Sequence, residues 1–119
     1  EKPMAWTATN VHDAIKALYG DIKPIESGIE LIIPKVSSRG DAIPVKIKSD
    51  LSLKSLSIFQ DVNPESTVAT FTINDGMLID YMLKIKMAKS GSITVIGEGR
   101  YGQFYKVTKS LITSPGCEG

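Results

Sequence analysis

The chain contains one cysteine, Cys117, and one histidine, His12. A cysteine nucleophile needs a base, usually histidine, and a third group to orient that base. His12 lies more than a hundred positions upstream, on a predicted amphipathic helix, and reads as a surface helix residue. One Cys and one His do not complete a zinc site, which takes three or four protein ligands. There is no Gly-rich phosphate loop, paired-acid motif or cluster with metal-ligand spacing. Gly97-Glu98-Gly99 has the look of a nucleotide-motif fragment, but it joins two predicted strands and opens no helix, so it reads as a loop. Met77, Met82 and Met87 recur along one strand; Met77 and Met87 belong to its core stripe, and no thioether metal box is expected. A cysteine hydrolase fails on the missing base. The sequence predicts neither an enzyme nor a bound cofactor.

The remaining chemical feature is Ser114-Pro115-Gly116-Cys117-Glu118-Gly119. Terminal residues are often incidental. Here the sole Cys sits where a free thiol is exposed, which proteins tend to avoid. Gly116 and Gly119 let the backbone thread where side chains would collide. If the last strand ends near Ile112, Cys117 stands five residues beyond it, a reach on the order of 17 Å. A free thiol titrates near ~8.5 and is only slightly ionised at neutral pH. Glu118 and a terminal carboxylate oppose its ionisation further, and no helix N-terminus assists it. Activation must therefore come from another protein's site, as it does for a carrier whose cargo is attached and processed elsewhere. Residues 1–113 then form the domain and 114–119 a carrier arm. The alternative is a non-catalytic binding subunit whose tail has no covalent role. An exposed thiol also predicts a disulfide-linked homodimer on oxidation.

The elements that position this tail are legible from patterning. At 119 residues, 42% hydrophobic and 23% charged, the chain is one ordinary globular domain. Fourteen Lys plus Arg against thirteen Asp plus Glu give a net charge of +1. That balance excludes a nucleic-acid binder with a broad basic face. Only Arg39 and Arg100 offer bidentate anion recognition. No apolar run approaches the ~20 residues of a membrane span. The chain starts at Glu1 without an initiator Met or a leader, as a mature chain or a trimmed piece does.

Thr9 or Asn10 caps a first helix with Asp13 in its first turn, Val11, Ala14, Ile15 and Leu18 on one face, and Gly20 as its stop. Alternation then predicts seven strands. The first holds Ile29, Leu31 and Ile33 and is stopped by Pro34, and residues 37–41 form a loop. The second holds Ile43, Val45 and Ile47 against Lys46 and Lys48, with Pro44 marking an edge or a strand beginning. Leu56 and Ile58 mark the third, and Thr67 to Ile73 the fourth, after the Asn63-Pro64 break. Asp75-Gly76 predicts a type I′ hairpin into a fifth strand carrying Met77, Ile79, Tyr81, Leu83, Ile85 and Met87 on one face. Ile93 and Val95 lead the sixth; Gly97, Gly99 and Gly102 loop into the seventh, Gln103 to Thr113. Such spacing predicts an all-β, immunoglobulin-like antiparallel sandwich with a short N-terminal helix. Leu78 and Met82 fall on the polar side of the fifth strand, either at an interface or beneath the helix.

In its motifs the chain resembles the SoxY family, the sulfur-carrier subunit of the bacterial thiosulfate-oxidising (Sox) system. The resemblance runs from Val11-His12-Asp13-Ala14-Ile15 through Gly28-Ile29-Glu30-Leu31 with Pro34, and the Gly40 to Val45 stretch. It continues through Asn63-Pro64 with Val68-Ala69-Thr70-Phe71, and Lys84-Ile85-Lys86-Met87-Ala88, to the cysteine tail. The resemblance implies an immunoglobulin-like sandwich in the periplasm, its signal peptide removed, paired with a SoxZ-like small β subunit. It implies that Cys117 holds sulfur covalently, loaded with thiosulfate by a c-type cytochrome and relieved of sulfate by a hydrolase. The carrier itself catalyses nothing and binds neither nucleic acid nor membrane. The family's tail usually reads Gly-Gly-Cys-Gly-Gly. Here Gly116, Cys117 and Gly119 match, whereas Pro115 stiffens the approach and Glu118 sets charge and bulk beside the sulfur.

Overall fold

The computed structural model describes residues 9–37, 42–63 and 65–113. One helix, α1 (Val11–Tyr19), precedes β1 (Ile29–Ile32), β2 (Val36–Ser37), β3 (Ile43–Ser49), β4 (Leu53–Gln60), β5 (Thr67–Thr72), β6 (Ile79–Ile85), β7 (Gly91–Gly99) and β8 (Phe104–Thr113). Two sheets form a sandwich: three strands in the order β1-β3-β6, and five in the order β2-β8-β7-β4-β5. The mostly antiparallel, immunoglobulin-like architecture follows the alternation in the sequence. Ile43, Val45 and Ile47 of β3 are fully buried between the sheets, against Leu56 and Ile58 of β4 and Ile93 and Val95 of β7.

Asn10 caps α1, its side-chain oxygen accepting from the Asp13 backbone N–H at 2.8 Å. Gly20, at φ 79°, ends the helix by donating to the Lys16 carbonyl. Nine residues are too few to hold a helix in water without a surface to dock on. Ala14 supplies the contact, fully buried against Phe59 and Ile96, with Val11, Ile15, Leu18, Tyr19 and Phe104 around it. The helix thus covers the outer face of the five-stranded sheet. Phe59 and Ile96 face it while their neighbours Ile58 and Val95 face the other sheet, so parts of β4 and β7 are buried on both faces.

Several expectations are corrected. Among the described residues there are eight strands, because β2, two residues long and including Ser37 of the expected loop, pairs in parallel with the end of β8. A pair that short carries no alternation to read. Asp75-Gly76 makes no hairpin, since β5 and β6 belong to different sheets and the chain crosses the sandwich there. A type I′ turn requires positive φ at both central residues, and here only Gly76 has it, at 81°. The Met77 N–H donates to the Asn74 carbonyl at 3.1 Å, with Gly76 third, the glycine placement of a type II turn. Met77 precedes β6 and is 49% exposed, so it is not in the core stripe. Gly97 and Gly99 lie inside β7 rather than in a loop. Pro44 falls at the start of β3, beyond the last β1 pair, Ile32 with Lys46, in a strand that is otherwise central.

Candidate functional site

Cys117, with Ser114, Pro115, Gly116, Glu118 and Gly119, lies outside the described residues. The structure shows the place from which this segment departs. β8 ends at Thr113, where the expected seventh strand ends and one residue beyond the Ile112 end from which the reach was reckoned, which puts Cys117 four residues beyond the sheet. Four extended residues span about 13 Å.

Backbone pairing with β2 and its preceding residue, and the Ser90 side chain, hold that departure point. The Ile112 N–H donates to the Lys35 carbonyl at 2.8 Å, and the Thr113 N–H to Ser90 Oγ at 2.8 Å. Val36 and Ser37 pair with Ile112 and Thr113 on the β2 side. Gln60, fully buried at the end of β4, accepts from the Val62 and Asn63 N–H groups at 2.8 and 2.7 Å and donates to the Glu65 carbonyl at 2.7 Å. Asn63 donates to the Lys86 carbonyl at 2.6 Å and accepts from the Ala88 N–H at 2.8 Å. Asp61 accepts from the Ser92 N–H at 2.8 Å, across a close approach at Gly91 that any Cβ would block. Each such bond contributes about 1 kcal/mol net, and together they fix the loops around the end of β8. Sequence reasoning saw Asn63 only as part of a chain break and Ser90 only as part of a turn, and passed over Gln60 and Asp61. Asp and Asn before a proline do signal backbone-bonding side chains, but nothing local tells which loop they reach.

His12 is exposed on α1 and borders a cleft of about 160 Å³ with Lys16, Asp21, Ile22 and Lys106. Those neighbours include no serine, threonine or cysteine. A larger cleft, about 380 Å³, opens at the opposite end of the sandwich, where Arg100 donates to the Ile73 carbonyl at 2.7 Å and pairs with Asp75 at 3.7 Å. Among the described residues no three His, Cys, Asp or Glu side chains converge as metal ligands. Beneath the helix the Tyr19 hydroxyl bonds Ser57, which also meets Thr70 at 3.3 Å. Burial pushes the Tyr19 hydroxyl above its ordinary range, so it stays protonated and acts as a tether. No helix of the described chain is long and apolar enough to cross a membrane. Chemically, the described residues around the end of β8 form a bonded base and assemble no catalytic group.

Comparison with known proteins bears on that segment directly. The family model "Sulfur oxidation protein SoxY" matches residues 15–117, a span that ends on the cysteine. The solved structure of the sulfur carrier protein SoxY from Chlorobium limicola f thiosulfatophilum superimposes with a TM-score of 0.78 at 25% identity, covering 88% of this chain and 96% of that one. A superoxide reductase (neelaredoxin) from Ignicoccus hospitalis shares the fold at a TM-score of 0.64 and 13% identity, over 74% of this chain and 81% of that one. So does the hypothetical protein PH1083 from Pyrococcus horikoshii OT3, at a TM-score of 0.57 and 11% identity, over 77% and 92%. No curated protein sequence matches the chain.

Proposed function

Because the chain belongs to the SoxY family of sulfur oxidation proteins, we propose that it carries sulfur intermediates covalently on Cys117 and presents them to the enzymes of thiosulfate oxidation. The observation that carries this reading is the extent of the family match, which takes in Cys117 itself. Likeness to a solved sulfur carrier over most of both chains supports it.

The chemistry is that of a passive thiol. A c-type cytochrome removes two electrons as the Cys117 S–H bond breaks and a bond forms to the outer sulfur of thiosulfate. The product is a cysteine S-thiosulfonate, with one proton released. A hydrolase then adds water across the sulfur–sulfonate bond. Sulfate and a proton leave, and a persulfide remains on Cys117. Both steps draw their oxidant and their base from the partners. That division suits a chain whose single histidine stands on a helix. Residues 114–119 act as the carrier arm, and 113 is the last residue of the scaffold.

The compartment consistent with such partners is the periplasm. A SoxZ-like small β subunit covers the outer face of the three-stranded sheet. There Ile32 and Met82 flank Lys46 in one cross-strand row, and Met82 and Leu78 are 67% and 77% exposed. α1 lies on the other sheet and leaves these residues uncovered. In a thiosulfate-oxidation assay reconstituted from the partner enzymes, Cys117→Ala abolishes turnover; undiminished turnover would overturn the carrier role.

A further inference from the structure

The net charge of +1 conceals an excess of lysine at one end of the molecule, whose longest extent is 45 Å. The end from which the carrier segment departs gathers the close of β1, the β6–β7 connection, the loop after β4 and the end of β8. Among its described residues stand Lys35, Lys84, Lys86, Lys89 and Lys109, against Asp61 and Glu65. The opposite end, from Asp21 to Glu30 and around Asp50, Asp75, Asp80 and Glu98, holds seven carboxylates against Lys16, Lys23, Lys48, Lys54, Arg100 and Lys106, close to balance. All three ion pairs between described residues, Lys16–Asp21, Lys54–Glu98 and Arg100–Asp75, involve acids of that second group. The five lysines of the departure end are exposed and pair with no described carboxylate.

Two of those lysines bracket the exit. Lys35 adjoins it through the bond from the Ile112 N–H, and Lys89 precedes Ser90, which holds the Thr113 N–H. Between them Val36 and Ile112 form a cross-strand pair, 60% and 59% exposed. An exposed apolar pair among lysines that pair with no described carboxylate has the layout of a protein interface, an apolar centre with a charged rim. Surface charge of one sign also steers diffusional encounter and orients it.

We propose that this end of the sandwich is a docking surface for a protein partner whose contact face is acidic around an apolar centre. The inference rests on the carrier reading for the partner's identity, an enzyme that receives Cys117; the surface itself is defined by residues upstream of the carrier segment. The other end, where acids and bases nearly balance, offers that partner no comparable attraction, so the molecule arrives with the cysteine leading.

The test is a titration of the full ¹⁵N-labelled chain with an acetylated, amidated peptide, Glu-Glu-Glu-Leu-Leu-Glu-Glu-Glu, followed by amide shifts at low ionic strength. Shifts are expected at residues 35–37, 86–90 and 111–113, fading as salt shortens the screening length. Lys35→Gln combined with Lys89→Gln weakens binding about threefold or more, whereas Lys23→Gln combined with Lys48→Gln leaves it unchanged. Equal loss in both variants, or shifts spread over Lys23, Lys48 and Lys106, would overturn the inference. Equal shifts from sodium thiosulfate at matched charge would overturn it too, marking a small-anion site instead. The amide spectra verify that each variant is folded. This readout is independent of any adduct, so failure of the carrier role and failure of the docking surface are separate results.

Discussion

Gly99 shows what a single methyl group would disturb. A Cβ there would stand 2.8 Å from the Gln103 carbonyl oxygen, which already accepts the Gly99 N–H at 2.7 Å. Neither group can retreat without opening the β7–β8 turn. Gly99→Ala is therefore expected to destabilise the fold by about 1–3 kcal/mol, read as a lowered urea midpoint with an unchanged slope. Gly97 is held by packing instead, with Leu53 and Ile29 methyl groups 2.8 and 2.9 Å from where its Cβ would be. This is why the pair misleads in sequence. Glycine is depleted from strands by propensity, and its use here is decided by distant residues. Cys117 is the opposite case. It was singled out by residue type, by being the sole cysteine and by its glycine neighbours, none of which requires the fold.

Tyr19 ties α1 to β4 through Ser57, beside the apolar contacts of Val11, Ala14, Ile15 and Leu18. Burial raises the hydroxyl's pKa above its usual 10.0, so the folded state keeps this proton more firmly than the unfolded chain does. Its contribution to stability is complete below pH 10.0 and is lost as pH rises through the higher folded value. Tyr19→Phe, which has no proton to lose, should cost about 1 kcal/mol at pH 8. The gap from wild type should shrink at pH 11, as unfolding midpoints at the two pH values will show. The helix was readable because its cap, apolar face and glycine stop are all local. Asp75-Gly76 was misread for a related reason. The dipeptide specifies a turn, but whether the strands it joins lie side by side is settled by which sheet each one enters. Residues 73–79 provide no local clue to a crossing.

Across the whole molecule, the two-sheet sandwich follows from alternation alone. The parallel β2–β8 pair and the loop bonds around Thr113 depend on contacts distant in sequence. The exposed Ile32 and Met82 belong to this scale as well, since the helix that might have covered Met82 docks on the other sheet. Replacing both with Asp is expected to abolish a complex with the small β subunit in size-exclusion chromatography. The isolated chain should keep its melting temperature within a few degrees, as surface changes usually do; an intact complex would place the partner elsewhere. The central claim, that Cys117 carries sulfur, is tested most directly by the intact mass of the chain isolated from cells growing on thiosulfate. The account predicts added mass from sulfur or thiosulfate-derived groups, confined to the Cys117 peptide and removed by dithiothreitol. A chain bearing only a free thiol, or only a simple disulfide between two copies, would contradict it.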